Sequence, residues 1–128
     1  MRLLLDTHTL LWLLVNDPAL SARARKTIED PANESFVSIV SLWEIAIKAG
    51  MGKLSLPAPF STVFPSELLQ NGIGVVSVEL AHLEALLQLP PIHRDPFDRL
   101  IVAQANVEGM TLVTSDAHLA SYPVPILW

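Results

Sequence analysis

Three acidic residues of this chain, Asp6, Asp98 and Asp116, stand where a carboxylate is hard to explain as surface decoration, and a fourth, Glu44, reads as a structural polar-face group. Asp6 closes the run Leu3-Leu4-Leu5, and Asp116 follows Leu112-Val113-Thr114-Ser115. Burying a carboxylate behind an apolar stretch costs free energy unless something compensates it. Asp98 belongs to His93-Arg94-Asp95-Pro96-Phe97-Asp98-Arg99. On a helical wheel it falls between Val102 and Ala105, inside an apolar arc, with Arg99 and Asn106 on the solvated stripe. Glu44 follows Ser41 by three residues and precedes Lys48 by four. Those spacings suit a capping box and a helix ion pair, and they put Glu44 on a polar face. Helix capping alone accounts for Asp6 or Asp116 taken singly. It suits Asp95 best, because Asp95-Pro96 is an N-cap followed by a proline at the first helical position.

Taken as a set, these groups are hard oxygen ligands, and the chain has no cysteine to offer a thiolate. Carboxylates without sulfur favour Mg²⁺ or Mn²⁺ over zinc or copper. Several carboxylates meeting at one edge repel each other, and a divalent cation relieves that repulsion. Such sites suit phosphoryl chemistry. The net charge of −5 argues against a general nucleic-acid coat protein. Two divalent cations add four positive charges, however, and take −5 to −1. Lys48, Lys53, Arg94 and Arg99 flank two of the acidic elements and could hold phosphates or simply line a solvated face. The four histidines (His8, His82, His93 and His118) share neither a segment nor a helical H-x-x-x-H spacing, so no histidine metal site is expected. Ser115 could lend a hydroxyl to the site or cap the next helix. Neither a G-x-S-x-G elbow nor a Walker A loop is present. Trp12 and Trp43 lie in apolar helical segments and read as core.

The elements that must position these groups alternate. Strands are expected at Arg2–Asp6, Phe36–Ile39, Val75–Val78, Thr111–Thr114 and Pro125–Trp128. Helices are expected at Thr9–Val15, at Ser21–Asp30 with Ser21 as N-cap, and at Ser41–Gly50 with Leu42, Ile45, Ala46 and Ala49 on its apolar face. Further helices are expected at Phe60–Asn71, ended by Gly72 or Gly74, and at Glu79–Leu89, Asp95–Glu108 and Asp116–Ser121. Met51–Pro59 reads as loop. Near-continuous apolar strands between helices indicate a parallel sheet covered on both faces. Sites in such sheets form at the carboxyl ends of strands, near a topological switch point.

With 128 residues, 51% hydrophobic and 16% charged, the chain reads as one domain, residues 1–128, with a real core and no disorder. The apolar N-terminus is interrupted by Asp6 and His8, and no apolar run reaches the roughly 18 residues of a transmembrane helix. A cytoplasmic protein without membrane association is expected.

At this point the motifs resemble a known family. Leu5-Asp6-Thr7-His8 with Leu11-Trp12, Ser41-Leu42-Trp43-Glu44-Ile45 with Lys48, Asp95-Pro96-Phe97-Asp98-Arg99 with Ala103-Gln104-Ala105, and Thr114-Ser115-Asp116 look like the four acidic motifs of PIN-domain ribonucleases. More narrowly they resemble VapC-type toxins of type II toxin–antitoxin pairs. The resemblance spans the chain and implies a three-layer α/β/α sandwich with a central parallel five-stranded sheet of order 3-2-1-4-5. It implies a Mg²⁺- or Mn²⁺-dependent endoribonuclease that leaves a 3′-hydroxyl and a 5′-phosphate. Asp6, Glu44, Asp98 and Asp116 are then both metal ligands and catalytic residues, which promotes Glu44 and selects Asp98 over Asp95. RNA, a cognate antitoxin and a second copy of the chain are the implied partners.

Two rival enzymes fit less well. A dehalogenase-like phosphatase needs a second Asp where His8 stands, and a phospho-receiver needs an adjacent acidic pair after the first strand. A PIN-like module that binds RNA or protein without cleaving it is the remaining alternative. A mean hydropathy of +0.43 is high for so small a chain, so an exposed apolar groove near the acids and a symmetric dimer are expected. The candidate surfaces are Leu10–Val15, Ile45–Met51 and Phe60–Leu69.

Overall fold

A computed structural model describes residues Met1–Trp128. Its centre is the run Leu3-Leu4-Leu5 in strand β1 (Arg2–Leu5), where all three leucines are fully buried. Successive strand side chains point to opposite faces. Leu3 and Leu5 enter one core with Leu10, Val37, Ile45 and Leu68, while Leu4 enters a second with Ile101, Val102, Leu112 and Leu119. A strand that is apolar on both faces needs helices on both faces, and it has them.

The other strands are β2 (Glu34–Ser38), β3 (Ile73–Val76), β4 (Thr111–Val113) and β5 (Ile126–Leu127). All pairings are parallel, in the order β3-β2-β1-β4-β5. Helices α1 (Thr7–Leu14), α2 (Ala22–Glu29), α3 (Ile39–Gly50), α4 (Phe60–Val63), α5 (Ser66–Gln70), α6 (Leu80–Leu87), α7 (Pro96–Glu108) and α8 (Ala117–Ala120) complete an α/β/α sandwich. In this order the chain leaves β1 toward β2 and later returns on its other side at β4. The switch point therefore lies between β1 and β4, at their carboxyl ends.

Local chemistry sets the boundaries. Ser21 caps α2, with its hydroxyl accepting from the Ala24 N–H. Asp95 caps α7 and accepts from the N–H groups of Phe97 and Asp98, and Gly109 ends that helix at φ 65°. Several expected boundaries move: α1 starts at Thr7 rather than Thr9, capped by Asp6, and β2 at Glu34 rather than Phe36. Helix α3 begins at Ile39 because Ser38, not Ser41, is its cap. The segment 60–71 is two short helices, because Pro65 excludes Phe64 from the helical region and Phe64 is extended. Strand β3 starts at Ile73, and Gly74 is a strand residue opposite Phe36. A Cβ on Gly74 would stand 2.8 Å from the Phe36 ring, so the glycine leaves room for that ring. No helix is long and apolar enough to cross a membrane.

Candidate active site

Asp6 is the first residue beyond β1. Its backbone N–H continues the sheet to the Val113 carbonyl (3.2 Å), which fixes the side chain at the switch point. The side chain caps α1, with Oδ1 accepting from the Thr9 N–H (2.8 Å), and Oδ2 accepts from Thr114 Oγ1 (2.5 Å). The Thr114 hydroxyl also accepts from the Asp116 N–H (3.0 Å), so one threonine ties the ends of β1 and β4 together. Ser115, which could have lent a hydroxyl or capped the next helix, is exposed, and Asp116 is the cap of α8.

Glu44 is buried, 4% exposed, where a polar outer face was expected. Helix α3 turns Ser41 and Glu44 inward toward α1, along with Leu42 and Ile45. Its exposed stripe is apolar: Ile39, Trp43 and Ile47, with Ala46 beside them. Trp43 is accordingly no core residue. It is 59% exposed and packs edge-on against Phe97. Thr7 Oγ1 donates to Glu44 Oε1 (2.7 Å) and shares a second hydrogen bond with Ser41 (3.0 Å). Lys48 Nζ donates to Glu44 Oε2 (2.6 Å), the spacing of four acting as an ion pair. That hydrogen bond, reinforced by the charges of Glu44, Asp95 and Asp98, raises the Lys48 pKa against the opposing effect of burial.

Asp98 lies in the first turn of α7 and is mostly buried. Burial pushes its carboxyl up to about 6, the negative charges of Asp95, Glu44 and Asp6 add to the shift, and a hydrogen bond to His93 opposes it. Asp98 thus feels acids from β1 and α3 as well as its own helix. Asp116, more open, caps α8 through Oδ1 to the His118 N–H (2.8 Å). His93 joins the two: its Nε2 lies 3.1 Å from Asp98 Oδ2 and 3.9 Å from Asp116 Oδ2.

His93 is the functional candidate that the sequence reasoning missed. Histidines were compared with one another for spacing, whereas the informative neighbour is Asp98, five residues on. Thr7 and Thr114 were missed as well, although each adjoins a strand-end acid or the strand itself. Of the four flanking cations, Lys48 is paired with Glu44, and Arg99 is tied to the Pro90 carbonyl (2.9 Å) and Tyr122 Oη (3.1 Å). Lys53 and Arg94 are exposed.

The donor set suits a divalent cation. One ligand atom each from His93, Asp98 and Asp116 lies within 4.8 Å of the others. Burial first, and then the charges of Asp95, Glu44 and Asp6, disfavour ionisation of Asp98, a cost that a bound cation would offset. Beside this cluster, Thr7 and Lys48 also edge a groove of about 480 Å³ lined by Leu11, Trp12, Leu54 and Leu56.

The PIN-domain profile matches residues 3–125, and the chain belongs to the PIN-domain family. It is 32% identical over 123 residues to Ribonuclease VapC22 of Mycobacterium tuberculosis, covering 95% of this chain and 92% of that protein. A shorter match, 36% over 69 residues, is to Ribonuclease VapC16 of the same organism, about half of each chain. Among solved structures, a chain of the Rickettsia felis VapBC2 complex with a promoter DNA fragment superposes with a TM-score of 0.75 at 17% identity, covering 100% of this chain and 99% of that one. A chain of DNA-bound VapBC from Salmonella typhimurium gives 0.72 at 19% identity, covering 99% and 97%. These likenesses establish the shared fold.

Proposed function

We propose that this protein is a divalent-metal-dependent endoribonuclease, the toxin of a toxin–antitoxin pair, with Asp6, Glu44, Asp98 and Asp116 as its catalytic acids. The observation that carries this reading is the convergence of His93, Asp98 and Asp116 ligand atoms within 4.8 Å of one another, where burial and the acids Asp95, Glu44 and Asp6 push the Asp98 carboxyl up to about 6. The ribonuclease names of the two curated relatives support the substrate class.

Asp98 and Asp116 would hold the cation, Mg²⁺ or Mn²⁺, through carboxylate oxygens that converge beside His93. Asp6 and Glu44 add negative potential from behind while hydrogen bonds keep them in place. When bound, the cation supplies Lewis-acid polarisation of the phosphodiester, ionisation of the attacking water and stabilisation of the leaving oxygen. Lys53 and Arg94 attract the flanking phosphates. In-line attack by water leaves a 5′-phosphate and a 3′-hydroxyl and needs no 2′-hydroxyl.

The apolar groove beside Thr7 and Lys48 is the antitoxin's seat in this reading, since an amphipathic segment laid there reaches the acids. The relatives solved as VapBC complexes support such a partner. The exposed stripe Ile39, Trp43 and Ile47 on α3, with Leu80, Leu83 and Leu87 on α6, supports a homodimer. Sedimentation equilibrium is expected to return twice the chain mass, and a monomer at high concentration contradicts it.

The function is tested by incubating the purified chain with labelled RNA. Cleavage is expected with Mg²⁺ or Mn²⁺, to be lost in a chelator and in Asp98→Asn, and to leave 5′-phosphate ends. RNA that is bound but never cut indicates the binding-module alternative. Cyclic phosphate ends overturn the mechanism.

A further inference from the structure

His93 enters the acidic cluster from the loop before α7, with its backbone fixed by Tyr122 and its ring stacked on His118. Its backbone N–H donates to Tyr122 Oη (2.8 Å), and its ring stacks on His118 at 5.2 Å with 16° between the planes. This pose presents Nε2 to both Asp98 and Asp116, at 3.1 and 3.9 Å. Adjacent ligands on an octahedral ion with bonds of about 2.1 Å stand on the order of 3 Å apart. The nitrogen and the two carboxylates are therefore already near the spacing of one coordination shell.

We infer that His93 Nε2 is a direct ligand of the cation bound by Asp98 and Asp116, and that the site selects Mn²⁺ over Mg²⁺ as a result. Mg²⁺ prefers oxygen donors and gives up water reluctantly, whereas imidazole nitrogen suits transition metals. The inference rests on the reading that a divalent cation occupies this cluster. The simpler role, in which His93 only holds the Asp98 carboxylate, makes a different prediction: replacement by a hydrogen-bonding amide weakens both metals alike or neither.

The test uses the full chain, MnCl₂ and MgCl₂. Electron spin echo envelope modulation of the Mn²⁺-loaded protein is expected to show directly coordinated ¹⁴N. That coupling should vanish in His93→Gln and persist in His118→Gln, which removes the other nearby imidazole. Free Mn²⁺ measured by its spectrum, with Mg²⁺ in competition, is expected to give a Mn²⁺ preference of about tenfold or more that largely disappears in His93→Gln. Absence of ¹⁴N coupling in the wild-type chain overturns the inference, as does an unchanged preference in His93→Gln. Cleavage of RNA without the coupling leaves the nuclease reading standing alone. Coupling without any cleavage does the reverse.

Discussion

The two halves of the acidic site are built on opposite plans. In the inner half, both carboxylate oxygens of Asp6 and both of Glu44 accept from protein donors: the Thr9 N–H, Thr114, Thr7 and Lys48. In the outer half, Asp98 and Asp116 converge on one imidazole, and burial together with the neighbouring acids outweighs the His93 hydrogen bond and raises the Asp98 carboxyl. Buried polar groups that are fully satisfied make a rigid framework. Unsatisfied charge makes a place for a ligand. The inner half is thus built to fix geometry and potential, and the outer half is the one proposed to receive the metal.

The largest effect expected from breaking this division is on catalysis. Asp98→Asn should lower the RNA cleavage rate in Mg²⁺ by about 10²–10³-fold or more. The same variant, unfolded by heat without metal at pH 7, should melt higher than wild type, because it removes a carboxylate ionised against its neighbours. A variant that keeps cleavage, or melts lower, breaks the comparison.

Next in size is the stability of the inner half. Asp6→Ala strands the Thr9 N–H and the Thr114 hydroxyl and should cost about 1–3 kcal/mol in denaturant unfolding. Asp116→Asn keeps a competent helix cap and should stay within about 0.5 kcal/mol of wild type. Equal losses at the two positions would erase the distinction between the halves.

A pH titration sharpens it further. The Asp98 carboxyl lies near 6 in the folded chain against 3.8 as the reference. The folded state therefore binds that proton more tightly, and the contribution to stability is full below 3.8 and is lost as pH rises toward 6. The difference in unfolding free energy between wild type and Asp98→Asn, both metal-free, should show this decline and level off above it. If Asp98 is a ligand as proposed, saturating Mg²⁺ should reverse the sign, because the cation binds the ionised carboxylate. A small effect is also expected for Lys48→Met. Its ammonium is partly exposed, so loss of the pair with Glu44 should cost about 1 kcal/mol or less and shrink further in high salt.

Legibility in the residues did not follow this division: each half had residues that stood out and one that did not. Asp6 and Asp116 stand out because strands of continuous leucine and valine end on them, and a parallel sheet places strand ends at its site. Asp98 was legible from its place in the apolar arc of α7, between Val102 and Ala105, both of which are buried. Glu44 was not. Helix α3 has apolar residues on both sides, and periodicity assumes that the apolar side faces in. Here Trp43 and Ile47 face out, while Ser41 and Glu44 face α1. Only the resemblance to the family pointed to Glu44. His93 was invisible for another reason: it lies in a loop, where no periodicity indicates direction. The break at Pro65 was readable from the proline itself and was passed over.

An anomalous difference map from crystals grown with MnCl₂ tests the division between the halves most directly. The account predicts a peak within bonding distance of Asp98 and Asp116, with Asp6 and Glu44 still bonded to Thr114, Thr7 and Lys48. A peak lodged between Asp6 and Glu44 instead, with Lys48 displaced and Asp116 uninvolved, would contradict it.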